Sequence, residues 1–352
     1  MDKLKKEVYN EDNPVAKMEA KASVRFIRDE GNKVIYEGVY PVEPFREDAR
    51  GTYGGDFITQ GLNACWESVG RGTFQPHSLH SYFVKPGSVE SNLRWEILKI
   101  SDSRNFSNRL ALAYQIHTNQ LVFTLQASFT KENDLNKKEE DYLKLLSSGG
   151  EIKAIPFHFK RSPNKRFFKY KDQIDDLMYF EHTNNNIAHA VPLEIFQYTK
   201  NFNMKDAGNE ELALFVKVLD DYSLGKDQTR QSFLGLAFES DALWLATLVK
   251  AIGLPLGADD KDFFRVSLDH SLYFHDLNFD SSKWLYLDYR FLSMGNNRIL
   301  AVVNFYTLEG KAIATAVQEA YGFLPKQMIE RSRKLHEKYN SARNEVTESA
   351  KL

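Results

Sequence analysis

Two stretches of this chain, opening at Ser78 and at Ser267, run through the same succession of elements, and that repetition limits the possible folds more than any single motif does. The first reads SLHSYFVKPG, a strand-like NLRWEILKI, a turn at SDSRN, a long strand FSNRLALAYQIH, a polar turn at Thr118-Asn119 and a last strand QLVFTLQASF. The second reads SLDHSLYFHD, KWLYLDYRFL, a turn at SMGNN, RILAVVNFYT, a turn at Glu309-Gly310 and KAIATAVQEAYGF. Phe83 and Phe274 stand 191 residues apart; Ser101 and Ser293, like Gln126 and Gln318, stand 192 apart. Apolar and polar residues alternate between short polar turns, which predicts antiparallel strands joined as hairpins.

Each set follows a helix-like segment, GGDFITQGLNACWESVG (54–70) in the first half and LGLAFESDALWLATLVKAIG (234–253) in the second. Strand candidates precede the helices at KVIYEGVY (33–40) and VPLEIFQYT (191–199). The second helix carries Leu234, Leu236, Phe238, Leu245, Leu248 and Ile252 with little polar relief, the mark of a helix covered on most sides. A sheet curled around such a helix covers it. The expected class is therefore α+β: two antiparallel sheets, each wrapped around a central helix, set side by side so that the sheets join and sites fall between the units. The expected division is an N-terminal extension (1–20), a first unit (21–135), a charged, partly helical connector (136–190), a second unit (191–325) and a helical tail (326–352). Because a bare loop as long as the connector is rare in a compact protein, part of it should pack.

At 352 residues the length suits two domains, and 42% hydrophobic against 27% charged residues suits a folded chain. The net charge of −2 supplies no broad basic surface for nucleic acid or anionic membrane. No apolar run is long enough to span a bilayer, and MDKLKKEVYNEDNP lacks the apolar core of a signal peptide, so synthesis in the cytosol as a soluble protein is expected. The single cysteine, Cys65, excludes an internal disulfide and a multi-cysteine metal site, and its neighbours GLNACWESV point to a small core residue.

The sequence holds no GxSxG, GxGxxG, GxxxxGK[ST] or HExxH pattern, which disfavours serine hydrolases of the α/β type, dinucleotide and P-loop enzymes, and zincins. What remains is a few polar residues in apolar elements. Asp241 falls on the helical stripe Phe238, Asp241, Leu245, Leu248, where it either faces a pocket or caps a helix that begins later than 234. Gln318 projects among Ala312, Ala314, Ala316 and Ala320 on one strand face; it is a structural amide or a site residue, and Gln126 takes the matching place in the first half. Ser267 opens SLDHSLYF on the face of Asp269, Ser271 and Tyr273. His270 matches His80 at a spacing of 190, which favours a hydrogen-bonded structural histidine over a metal ligand, and no metal site is expected.

Together, GTYGGDFITQGLNA, HSLHSYFVKPG, LAFESD, VSLDHSLYFHD and NFYTLEGKAIATAVQEA make the chain resemble the acyl-CoA thioesterase II family from about residue 20 to 324, with an ill-matched connector. The resemblance implies the tandem double-hotdog fold and hydrolysis of fatty acyl-CoA to free acid and CoA by direct water attack, with no covalent intermediate. It also implies a polar triad from the second hotdog: an aspartate on the central helix, a threonine or serine on the next strand, and a glutamine on the last. Those positions fall on Asp241, Ser267 and Gln318. Serine at the middle place looks like the eukaryotic peroxisomal form. Candidate substrate contacts are Gly54, Gly55, His80, Lys85 and His270, with Lys85 in FVKPG either meeting CoA phosphates or lying in an exposed turn. No cofactor is expected, since CoA is part of the substrate. The first half shows no aspartate equivalent to Asp241, so one site per chain is expected, with a homo-oligomer as an open possibility. Other readings are a hotdog enoyl-CoA hydratase, whose aspartate–histidine motif is missing, and a non-catalytic acyl-CoA-binding protein. Ala350, Lys351 and Leu352 resemble the Ser-Lys-Leu address read by the peroxisomal import receptor, which places the expected location in the peroxisome matrix.

Overall fold

The computed structural model describes residues 16–44, 51–69, 74–131, 134–152, 155–156, 160–182, 186–199, 208–242, 244–257 and 263–349. The tripeptide 350–352 and most of the N-terminal extension lie outside the described residues. No helix among the described residues is long and apolar enough to cross a membrane.

The alternating segments form strands β1 (Val24–Asp29), β2 (Lys33–Gly38), β3 (Gln75–Phe83), β4 (Leu93–Asp102), β5 (Phe106–Gln115) and β6 (Gln120–Thr130) in the first half. The second half forms β7 (Met178–His182), β8 (Ile187–Val191), β9 (Leu212–Val218), β10 (Phe264–Ser267), β11 (Asp269–Phe274), β12 (Leu285–Gly295), β13 (Arg298–Tyr306) and β14 (Ala312–Phe323). They hydrogen-bond into one sheet in the order β1-β2-β4-β5-β6-β3-β11-β14-β13-β12-β9-β8-β7, with β10 also on β14. The two units meet where β3 pairs antiparallel with β11, Leu79 opposite Leu272 and Ser81 opposite His270.

Inside the curve lie two central helices, Gly54–Val69 and Gln228–Glu239. Every residue from Gly55 to Trp66 is buried, and so is every residue from Gln231 to Glu239. The two helices run antiparallel. Tyr53 hydroxyl donates to the Phe238 carbonyl (2.6 Å) at one end and Thr59 Oγ1 donates to the Leu234 carbonyl (3.1 Å) near the middle. At the other end Arg230 donates to Asn63 Oδ1 (2.7 Å) and pairs with Glu67 (2.9 Å). Cys65 is fully buried, and burial raises its thiol well above the ordinary range, so it is a core residue.

Three expectations require correction. The second helix begins at Gln228, capped by Asp227, whose side chain accepts from the Arg230 amide, and it ends at Glu239. A 3-10 turn (Trp244–Thr247) and a short helix (Leu248–Ala251) occupy the remainder of the expected span. The strand expected over 191–199 stops at Val191: Pro192 has no N–H for the ladder, and Leu193–Phe196 is a 3-10 turn. The counterpart of β2 is β9, paired with β12, while β7 and β8 come from the expected connector. The expected helix over KKEEDYLKLLSS is present as Leu135–Ser147 and buries none of its residues; Phe167, in the helix Lys165–Tyr170, packs on Phe215 and Tyr286 across the outer face of the sheet.

Strand pairing also corrects the repeat register. Pro76 faces Phe129 as Ser267 faces Ala320, and Ser81 faces Leu125 as Leu272 faces Ala316. These strands are thus related by 191 residues throughout, and Ala127, rather than Gln126, is the counterpart of Gln318. Likewise His80 matches Ser271, and Leu79 matches His270. Gln126 is exposed on the opposite face, giving its amide to Asn108 Oδ1 (2.8 Å).

Candidate active site

Gln318 projects inward from β14 between Ala316 and Ala320, opposite Ala301 on β13, and is 3% exposed. The small neighbours leave room for a long amide, and burial obliges that amide to find partners. Ser267 ends β10. Simple alternation would turn it outward with Asp269, but the register slips at Leu268 between the Ser267–Ala320 and Ser271–Val317 pairs. That one-residue irregularity brings Ser267 to the inner face. Asp241 lies in the turn just beyond the second central helix, neither within a helix nor at a helix start.

One nitrogen joins the three. Gln318 Nε2 donates to Asp241 Oδ1 (2.6 Å) and to Ser267 Oγ (2.9 Å). Its Oε1 lies 2.8 Å from His270 Nδ1, and His270 Nε2 lies 2.9 Å from Ser240 Oγ. His270 is fully buried, which lowers its pKa to about 4 and keeps the ring neutral at ordinary pH.

The fourth wall comes from the first unit. A side chain at Gly54, the first residue of the first central helix, would stand 2.5 Å from Asp241 Oδ2 and 2.8 Å from the Phe83 ring. Only glycine allows so close an approach. Asp241 therefore sits against a helix N-terminus, where the first-turn N–H groups lack intrahelical acceptors and the helix dipole favours negative charge. Gly55 packs against the Phe238 carbonyl and the Tyr53 ring, which fixes the two helices at this end. Glu239, the residue before Ser240, is fully buried, and burial raises its carboxyl well above the ordinary range, with Asp280 adding to the rise.

Of the other sequence candidates, His80 is exposed, with Nδ1 3.1 Å from Ser271 Oγ, on the outer face of the sheet. Lys85 is turned to solvent, its Nζ donating to Gln120 Oε1 at 3.3 Å. Neither stands with the Asp241 cluster. Sequence reasoning missed Tyr53 and Ser240, and it did not see His270 as a partner of Gln318. The signal for His270 was available, since His270, Leu272 and Phe274 alternate as an inward face.

Among the described residues, the first unit has no matching set. Pro76, Leu79 and Ala127 stand where Ser267, His270 and Gln318 stand in the second, and Arg109, paired with Ala127 on β5, fills the inner face and donates to Ser68 Oγ (3.0 Å). The far end of the helix pair holds the Arg230–Glu67 ion pair. Asp56 is committed elsewhere, its oxygens taken by the Glu43 amide (2.8 Å) and Lys21 Nζ (3.1 Å).

A tandem hotdog with one polar cluster, fed by both units, defines the class of this protein. Residues 172–321 match the family described as acyl-CoA thioesterase C-terminal domain. The chain is 27% identical over 313 residues to a peroxisomal acyl-coenzyme A thioester hydrolase 1 of Saccharomyces cerevisiae, covering 78% of this chain and 86% of that protein. It is 25% identical over 301 residues to acyl-coenzyme A thioesterase 8 of Homo sapiens, covering 81% and 88%. Among solved structures, the acyl-CoA thioesterase II TesB2 of Mycobacterium marinum superposes with a TM-score of 0.59 at 19% identity, over 88% of this chain and 99% of that one. The fold is thus the double hotdog, and the resemblance to the acyl-CoA thioesterase II family is borne out.

Proposed function

We propose that this protein is an acyl-CoA thioesterase that hydrolyses fatty acyl-CoA to free acid and CoA by direct attack of water. The observation that carries this reading is the single amide nitrogen of Gln318 holding both a carboxylate and a hydroxyl, in a unit that matches a thioesterase domain family. Asp241 acts as general base for a water placed between it and Ser267, whose hydroxyl can both accept and donate. The attack breaks the thioester C–S bond after a tetrahedral intermediate; the proton held by Asp241 passes to the departing CoA thiolate. Negative charge developing on the carbonyl oxygen is met by N–H groups of the first turn at Gly54 and Gly55, pre-aimed at the site. No cofactor or metal takes part in these steps.

Thiol release over a series of acyl-CoA chain lengths tests the reaction. Asp241→Asn is expected to lower kcat roughly 10²-fold or more with the fold intact; unchanged turnover would remove Asp241 from the role of base. We also place the protein in the peroxisome, on the strength of the named location of the yeast relative and of Ala350-Lys351-Leu352. A fluorescent fusion ahead of the native C-terminus should co-localise with peroxisomes and return to the cytosol when those three residues are removed.

A further inference from the structure

Gln318 has a problem that Asp241 and Ser267 do not share: its two ends are nearly the same shape. Turned over, the amide would fit the same space with Oε1 facing the Asp241 carboxylate at the 2.6 Å that Nε2 now occupies. The site functions only in the orientation that presents two N–H bonds to Asp241 and Ser267. The group on the other end of the amide is His270, through Nδ1 at 2.8 Å, and the group beyond His270 is Ser240, at 2.9 Å from Nε2.

We propose that Ser240 and His270 form a positioning relay that locks Gln318 in its working orientation by fixing the histidine tautomer. The inference rests on the thioesterase reading, and it assigns these two residues a role in that same site. The donors are ordered from the Gln318 end of the chain. Gln318 Oε1 must accept, because Nε2 is committed to a carboxylate; His270 Nδ1 must then carry the proton. A neutral ring leaves Nε2 as an acceptor, and Ser240 Oγ–H is the donor within reach. Burial of His270, 0% exposed, removes water as a substitute partner at either nitrogen. With the proton on Nε2 instead, Nδ1 becomes an acceptor and the amide turns over to serve it, placing oxygen against carboxylate. The tautomer of His270 and the orientation of Gln318 are one variable.

The relay is anchored on elements that do not move independently. Ser240 follows the last helical residue, and its one hydroxyl proton has two acceptors within reach, the Ala237 carbonyl and His270 Nε2, both at 2.9 Å; a proton on His270 Nδ1 leaves Nε2 in need of a donor and turns the hydroxyl toward the ring. His270 is on β11, opposite Ser81 of the first unit, whose hydroxyl donates to the His270 carbonyl at 2.9 Å. Gln318 is on the neighbouring strand. The register of that sheet and the end of that helix together set the distances.

Nitrogen-15 NMR of the intact wild-type chain, observing the imidazole nitrogens of His270, tests the tautomer without any need for turnover. The expected result is a proton on Nδ1; a proton on Nε2 overturns the proposal. Kinetics of two substitutions test the consequence. Asparagine places its amide nitrogen where Nδ1 stands, whereas glutamine reaches one bond further, toward Ser240. His270→Asn is therefore expected to keep kcat within about 10-fold of wild type while His270→Gln loses about 10²-fold, with KM little changed in both. Equal kcat in the two variants, or the reverse order, overturns the relay. Ser240→Ala removes one oxygen and leaves the triad intact; a fall in kcat with a second His270 tautomer in the spectrum supports the proposal, and a wild-type kcat overturns it. If wild type releases no thiol while Nδ1 carries the proton, the thioesterase reading fails and the relay geometry stands.

Discussion

Asp241 is exposed enough to meet substrate yet abuts the first turn of a helix from the other unit, with Gly54 as the only residue type that leaves room for its Oδ2. Gly54→Ala is accordingly expected to push Asp241 or Phe83 aside and to lower kcat at least about 10-fold while the melting temperature shifts little, measurable by thiol release beside a thermal melt. Glu239 offers the opposite case, a buried carboxyl that the proposed reaction does not use. Its folded pKa is raised, so the native state keeps the proton that the unfolded chain releases. The resulting relative stability is fully present below about pH 4.3 and is lost as pH rises toward the folded value. Glu239→Gln should therefore stabilise the protein at pH 7, with the gain vanishing in acid, as read by denaturant titrations at several pH values. His270 shapes the acid side: with its pKa lowered to about 4, stability falls as pH drops from about 6.5 toward that value.

At the level of elements, the helix pair does two jobs. One end builds the site and the other is closed by Arg230, Asn63 and Glu67. Arg230→Ala should leave Glu67 without that partner and cost about 2 kcal/mol or more in a urea melt, yet leave kcat unchanged because the site is at the opposite end. The strands β2 to β6 and β11 to β14 were legible in the sequence because period-2 alternation between short polar turns is a strong signal, whereas β7, β8 and β9 were not. The second helix start was not, since Gln228, Thr229 and Arg230 look like a polar loop until Asp227 is seen as a cap. The structure brings Asp241, Ser267 and Gln318 together, but their surroundings differ from the expectation: an irregularity at Leu268 inverts the face of Ser267, and a hairpin one residue shorter shifts the repeat from 192 to 191. The second of these was visible in retrospect. Phe123, Leu125, Ala127 and Phe129 alternate as an apolar face that excludes Gln126, whereas Ala314, Ala316, Gln318 and Ala320 include Gln318.

For the whole molecule, the repeat is a symmetric frame carrying an asymmetric site. Pro76, Leu79 and Ala127 cannot hold a carboxylate or orient a water, so one non-hydrolysable acyl-CoA analogue per chain is expected in calorimetry; two equivalent sites would contradict the assignment of the second unit alone. The join between units is β3 on β11 with two hydrogen-bonded helices beneath.

Because the carboxylate proposed as general base belongs to one half of the chain and the helix dipole beside it to the other, the reaction rate doubles as a ruler for how the halves are seated. A substitution that slides one buried helix along its neighbour by a fraction of a turn would silence turnover while circular dichroism stayed nearly native. Loss of activity in such a mutant would report misalignment before it reported unfolding.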